Sequence, residues 1–230
     1  MKQLTIAMFL IISCVTAWAA DLKKGYAAYN SGDYVTALSE WKPLAEQGNA
    51  EAQYNLGVMY DNGFGVIEDD REAVKWFRLS AEKGHADAQH NVGVMYDDGQ
   101  GVIEDDKEAV KWFRLAAEQG DAESQHNLGF MYANGEGVIE DDREAVKWYR
   151  LSAEQGHARA QNSLGVMYGN GEGVIEDNVY AHMWLNLAAA DGNEDARTNK
   201  DILVKWMTPQ DISKAQDLAR ECVNKNYKDC

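Results

Sequence analysis

A glycine returns every 36 residues through most of this chain: Gly48, Gly84, Gly120, Gly156 and Gly192. Trp76, Trp112, Trp148 and Trp184 keep the same period, so four units lie end to end over residues 49–84, 85–120, 121–156 and 157–192. A repeat of this length restricts the chain to a solenoid. Each unit is a supersecondary element too small to bury an apolar face by itself, and only a stacked neighbour supplies the missing partner.

Each unit reads as two antiparallel helices. Residues 52–60 have the composition of a first helix, helix A, ended by Gly63 and a turn through Gly65. Asp69 stands where a second helix, helix B, needs an N-cap. Glu72 follows three residues later, a capping-box pattern that recurs at Asp105/Glu108 and Asp141/Glu144. Along helix B, Ala73, Trp76, Phe77, Ser80 and Ala81 fall on one stripe that must face a neighbouring helix. Gly57, Gly93, Gly129 and Gly165 sit inside helix A, where glycine costs about 1 kcal/mol relative to alanine. A cost repeated in every unit predicts close packing, with the missing Cβ admitting a Trp or Tyr from a partner helix. Only two prolines in 230 residues, with glycine at regular intervals, make the fold class all-α.

The spacing of Ala52, Leu56-Gly57, Met59-Tyr60, Gly63, Gly65-Val66, Asp69, Ala73, Trp76-Phe77 and Ala81-Glu82-x-Gly84 resembles the Sel-one-like repeats, relatives of the tetratricopeptide repeats. The likeness extends over residues 49–192, the greater part of the chain. It implies a right-handed α-solenoid of antiparallel helix pairs that serves as an interaction scaffold, often in bacterial envelope or host-contact proteins. The ends depart from the pattern, as solenoid caps do. Residues 20–48 read as a divergent unit with helices at 22–30 and 33–47, the second containing Pro43. Residues 193–230 read as two capping helices, 194–206 and 209–224, the latter started by Thr208 as N-cap and Pro209 at the first helical position. In the fourth unit Tyr180 replaces the glutamate of the capping pattern.

Twenty-two Lys and Arg against 38 Asp and Glu give a formal charge of -16, which excludes the broad basic surface that nucleic acids and anionic membranes require. Residues 1–19 read as an export signal: Lys2, an apolar run from Leu4 to Val15, then small residues at Ala17 and Ala19. A competing reading takes Ile11-Ile12-Ser13-Cys14 as a lipoprotein box with Cys14 lipidated, tethering the protein to a membrane. No later stretch has the roughly 20 apolar residues of a transmembrane helix. Export to the periplasm or the medium leaves Cys222 and Cys230. An oxidising compartment favours their pairing, which would fasten the tail to the last helix; two unpaired thiols are the alternative.

Comparison between units singles out one row. The fifth position of helix A reads Tyr54, His90, His126 and Asn162 while its neighbours hold. In a solenoid whose helices A line the concave face, this row would contact an extended peptide or loop; the alternative is a tolerant position that has drifted. His90 and His126 lack a recurring third ligand, so no metal site is assigned. The runs Glu68-Asp69-Asp70, Glu104-Asp105-Asp106 and Glu140-Asp141-Asp142 read as caps and dipole partners of helix B rather than calcium ligands. Ser39-Glu40-Trp41-Lys42 matches the Ser-x-x-Lys motif of penicillin-recognising enzymes but has no Ser-Asp-Asn or Lys-Thr-Gly companion. The expectation is therefore a non-enzymatic, cofactor-free scaffold for a protein or peptide partner, with a basic partner matching its charge. The alternative is an envelope hydrolase or β-lactam-binding protein acting through Ser39.

Overall fold

The computed structural model describes residues 20–230; the signal reading of residues 1–19, and Cys14 with it, lies outside the described residues. Among the described residues the chain forms α-helices, one short 3-10 turn and no strand. The N-terminal pair is α1 (Leu22–Asn30) and α2 (Tyr34–Glu46), which runs on past Pro43. The four helices A are α3 (Ala50–Asn62), α5 (Ala86–Asp97), α7 (Ala122–Asn134) and α9 (Ala158–Asn170). The four helices B are α4 (Asp70–Ala81), α6 (Asp106–Glu118), α8 (Asp142–Ala153) and α10 (Asn178–Ala190). From α1 to α11 (Glu194–Leu203), each helix packs on the one before it and the one after. The 3-10 turn Val204–Trp206 and α12 (Pro209–Asn224) complete the chain.

The aspartate caps form, but the reciprocal boxes do not. Asp69 Oδ1 accepts from the Arg71 and Glu72 amides, and Asp105, Asp141 and Asp177 act in the same way. A box would need Glu72 to take the Asp69 N–H. That amide instead donates to the Tyr60 carbonyl at 3.0 Å, tying the loop back to helix A. The Glu72 carboxylate turns forward to Lys75 Nζ at 3.0 Å, as Glu108 does to Lys111 and Glu144 to Lys147. A complete box occurs only at α12 among the described helices, where Thr208 and Asp211 cap each other.

The glycines inside helix A do admit an aromatic ring, though not the tryptophan. A Cβ on Gly57 would lie 2.5 Å from the Phe77 ring, on Gly93 2.6 Å from Phe113, and on Gly129 2.8 Å from Tyr149. In the fourth unit the filler is Leu185, 2.8 Å from a Cβ on Gly165. The tryptophan one place earlier points some 100° away around the helix. Trp112 joins the core formed with Phe77, Val92 and Met95, and Trp148 the next one, with Phe113, Leu128 and Met131. Among the described glycines, a tryptophan ring makes the nearest approach at Gly25 of the divergent first pair, under Trp41.

Between units, a buried glutamine does the joining. Gln53, Gln89, Gln125 and Gln161 donate through Nε2 to the carbonyls of Ala45, Ala81, Ala117 and Ala153, at 3.0 to 3.2 Å, near the end of the preceding helix. Their Oε1 atoms accept from Lys83 Nζ (2.9 Å), Gln119 Nε2 (2.6 Å) and Gln155 Nε2 (2.8 Å) in the first three units. Position 191 of the fourth unit holds Asp, an acceptor, and Gln161 Oε1 is buried without a partner.

The C-terminal end does not extend the stack by another hairpin. α11 occupies the helix A place on α10, but α12 lies against α10 itself. It covers the side of α10 that holds Tyr180, Met183 and Leu187; the first unit shows Glu72, Lys75 and the exposed Leu79 there. Cys222 and Cys230 are joined by a disulfide with Cα atoms 5.4 Å apart, and Tyr227 between them packs on Gly156. The short loop so closed contributes about 2 to 3 kcal/mol by loop-entropy reasoning.

Two stability measurements check this packing. Gly57→Ala gains helix propensity but drives a methyl into Phe77, so it should lower the melting temperature, by an overpacking cost of about 1 to 3 kcal/mol. Gly169→Ala in α9, where a Cβ would meet only Ala181 Cβ at 3.6 Å, should raise it, through a stabilisation of up to about 1 kcal/mol; the same sign for both substitutions would refute the packing account. Asp191→Gln should give Gln161 Oε1 the donor present in the other units, and stabilise by about 1 kcal/mol. No gain in chemical denaturation would mean that the orphaned oxygen is satisfied some other way.

Candidate functional site

The row Tyr54, His90, His126 and Asn162 is half-buried at the joints between units. Tyr54 stacks on the His85 imidazole with centroids 4.6 Å apart. His90 Nδ1 lies 2.9 Å from Ser124 Oγ and 3.6 Å from Asp121 Oδ1. The His126 ring is 5.1 Å from that of His157, and Asn162 Oδ1 accepts from Asn199 Nδ2 at 3.0 Å. All of these partners belong to the following unit, and His85, Asp121 and His157 are the N-caps of its helix A.

His85 and His157 are thus more than the ordinary turn residues their place after the glycines suggests. Their Nδ1 atoms accept from the Ala88 and Ala160 amides at 3.3 and 3.2 Å, while Nε2 faces Glu51 (3.2 Å) and Glu123 (2.7 Å) of the preceding unit. An imidazole caps a helix only while Nδ1 is unprotonated. Burial pushes the pKa of His90 down against the pull of Asp121, and that of His157 down likewise. Burial, reinforced by His157 beside it, takes His126 down to about 4. Burial also raises the Tyr54 hydroxyl.

Two hollows on the helix A side were not legible as sites in the sequence. One, of about 470 Å³, lies between α7 and α9 over Phe130, Asn162, Ser163 and Val166, with Glu140, Asp142 and Glu172 at its edge. The next, of about 490 Å³, lies between α9 and α11 over Val166, Asn199, Ile202, Leu203 and Trp206, with Glu176 at its edge. Of the sequence-derived row, Asn162 alone lines either hollow. Trp206 is 80% exposed, and Phe130 and Ile202 are also open to solvent. The available signal was a second register, Val58, Val94, Phe130, Val166 and Ile202, apolar at every repeat yet never fully buried, although Val58 and Val94 pack on the edge of the core. Gly169, where earlier units have Asp61, Asp97 and Ala133, adds no side chain there.

Chemistry is thin elsewhere. Ser39 is exposed on α2, and its hydroxyl donates to the Thr36 carbonyl at 2.8 Å, within its own helix turn. Among the described residues no group of three or more His, Cys, Asp or Glu side chains is arranged to hold a metal ion. No helix among them is long and apolar enough to cross a membrane.

The buried histidines make stability depend on pH. His126 titrates at about 4 in the folded chain against 6.5 for an unperturbed histidine. Between those values the unfolded chain binds more protons, so the stabilisation is complete above the upper value and is lost as pH falls toward the lower. The melting temperature should fall on acidification through this window, and fall less in His126→Asn, which carries the residue of the fourth unit. Equal losses in the two chains would remove His126 from this account.

The family model described as Sel1 repeat matches residues 50–85, 86–121, 122–157 and 158–193. The crystal structure of a Sel1 repeat protein from Oxalobacter formigenes is similar at 31% identity, with a TM-score of 0.73 and 85% of each chain covered. That of c5321, a protective antigen of uropathogenic Escherichia coli strains displaying an SLR fold, is 27% identical with a TM-score of 0.55; the match covers 88% of this chain and 56% of that one. No curated protein matches the chain. Sel1 repeat proteins are in general non-enzymatic scaffolds for protein interaction. With four matched repeats spanning most of its length and a helix-pair stack shared with solved Sel1 structures, the chain belongs to the Sel1 repeat family.

Proposed function

We propose that the protein is an exported, non-enzymatic scaffold that binds a basic protein or peptide through a concave helix A surface, in the cell envelope or outside the cell. The observation that carries this reading is the pair of adjoining hollows over Phe130, Val166, Ile202 and Trp206, bordered by Glu140, Asp142, Glu172 and Glu176. Floors that mix apolar side chains with Asn162, Ser163 and Asn199, with acidic borders, suit a segment that alternates aliphatic or aromatic anchors with Lys or Arg. The rigid stack loses little entropy on binding, and the charge of -16 speeds encounter with a cationic partner. Tyr54, His90, His126 and Asn162 complete the surface as half-exposed polar contacts. Four domains of action follow: a signal at 1–19, a divergent unit at 20–48, the repeats at 49–192, and a cap at 193–230 whose Cys222–Cys230 bond suits an oxidising compartment.

Photo-crosslinking in the native cell tests the reading. Crosslinkers at His90 and His126 probe the row. Phe130 and Trp206 carry them with less damage, because those side chains already stand in solvent. Lys111, on the outer face of α6 and exposed, is the control. A defined adduct from the helix A sites that is absent at Lys111 and weakens with salt is the expected result. An adduct at Lys111 alone would place binding on helix B and overturn the proposal.

A further inference from the structure

Just past the end of each helix B, one position repeats every 36 residues as Lys83, Gln119, Gln155 and Asp191. In the first unit the Lys83 ammonium lies between two oxygens, 2.5 Å from the Gly48 carbonyl and 2.9 Å from Gln53 Oε1. In the third, Gln155 Nε2 bridges the matching pair, 3.0 Å from the Gly120 carbonyl and 2.8 Å from Gln125 Oε1. In the second, Gln119 Nε2 donates to Gln89 Oε1. The spot beside the joint glutamine is thus filled by positive charge, once as a full cation and twice as the positive end of an amide.

The fourth unit keeps the frame and reverses the charge. Its turn makes the same two backbone bonds as the others: Gly192 N–H donates to the Ala189 carbonyl at 3.2 Å and Asn193 N–H to the Ala188 carbonyl at 3.0 Å, as Gly156 and His157 do to Ala153 and Ser152. Position 191 is therefore held where Lys83, Gln119 and Gln155 are. Gln161 Nε2 still donates to the Ala153 carbonyl at 3.2 Å, which turns Oε1 the same way as in the other units. The side chain that arrives is a carboxylate, one methylene shorter than glutamine, so it stops short of where the Gln155 amide reaches. Gln161 is fully buried, and its Oε1 has no partner among the described residues. Gly156 stands in the place of Gly48 and Gly120. A Cβ on Gly48 would lie 3.1 Å from Lys83 Nζ, and one on Gly156 would lie 3.3 Å from the Tyr227 ring, so the disulfide-bounded tail borders this spot.

We infer that a univalent inorganic cation of about ammonium size, potassium in class, binds at this joint between the Asp191 carboxylate, Gln161 Oε1 and the Gly156 carbonyl. It does for the fourth unit what the Lys83 ammonium does for the first. A donor set made only of oxygens selects a hard ion. One carboxylate balances one positive charge, and the ammonium 2.9 Å from Gln53 Oε1 in the same frame sets the size. An ion of calcium type takes about six to eight oxygens at roughly 2.3 to 2.6 Å, and this joint offers it a single carboxylate. None of the three residues lines either helix A hollow, so the site is independent of the peptide reading.

Thermal melts at one ionic strength test the inference. The chain is compared in potassium chloride, in ammonium chloride and in tetramethylammonium chloride, whose cation is too large for the joint. Potassium or ammonium should raise the parent's melting temperature by about 2 to 4 °C over tetramethylammonium, the shift that filling a weak site gives a chain of this size. Asp191→Lys brings its own ammonium and Asp191→Gln its own amide donor, so each should melt at one temperature in all three salts. The stabilisation expected of Asp191→Gln is then largest in tetramethylammonium and shrinks in potassium. Glu118→Gln, which removes an exposed carboxylate of the second unit, should keep the parent's response and so exclude a general effect of charge. Thallous ion, which takes the place of potassium and scatters anomalously, should give a peak beside Gln161 Oε1 in crystals of the parent and none in those of Asp191→Lys. Equal melting of the parent in the three salts, or an equal rise in Asp191→Gln, would overturn the inference. So would a rise given by calcium chloride and by neither univalent salt.

Discussion

A hydrogen bond from a buried glutamine to the carbonyl near the end of the preceding helix is what makes separate helix pairs into one body. Gln53, Gln89, Gln125 and Gln161 repeat it at the four joints from the N-terminal pair to the fourth unit. A helix end leaves carbonyls without intrahelical partners, and in a stack those carbonyls face the next unit rather than water. The glutamine satisfies one of them and fixes the register of helix A in the same act. Around it the side chains at the unit joints fall into place: the stacked or paired residues at Tyr54 and His90, and the capping histidines that reach back to Glu51 and Glu123. Since every unit has its core completed by a neighbour, the joints set the cooperativity of the whole array.

Much of this was legible from residue spacing. The 36-residue period located the helices, and the interior glycines announced close packing before any contact was known. Three things were hidden, each for a nonlocal reason. Trp76 and Phe77 lie on the same stripe, and periodicity does not say which of two adjacent rings meets the partner's glycine and which meets the neighbouring core. Asp69 and Glu72 carry the signature of a box, but the amide it would use belongs to the Tyr60 carbonyl across the loop. The docking of α12 was written in the fourth unit, where Lys75 and Glu72 of the first have become Met183 and Tyr180. Seeing it takes a comparison across units together with the knowledge that one outer face is covered. The row at Tyr54, His90, His126 and Asn162 was found, yet its role at the joints came only from distances between units.

The surfaces divide by chemistry. On the outer side of helix B, Glu72, Glu108 and Glu144 each hold a lysine one turn on, a polar arrangement that spends its charges locally. Exposed pairs of this kind add little stability but keep that side hydrated. Leu79, Leu115 and Leu151 are partly open on that side, while the larger apolar exposures include Trp206, Ile202 and Phe130 about the hollows and the isoleucines of the loops. Both regions border on carboxylates.

The covering of α10 by α12 gives the array a polarity of growth. A unit copied from 85–120 and inserted beside its parent would find its Gln, Gly and Trp partners on both sides, and its charged outer face would meet water. A copy of 157–192 placed inside the array would expose Tyr180, Met183 and Leu187 with no α12 to shield them. Lengthening by duplication is therefore open to the first three units and closed to the fourth, whose outer face is committed to being last.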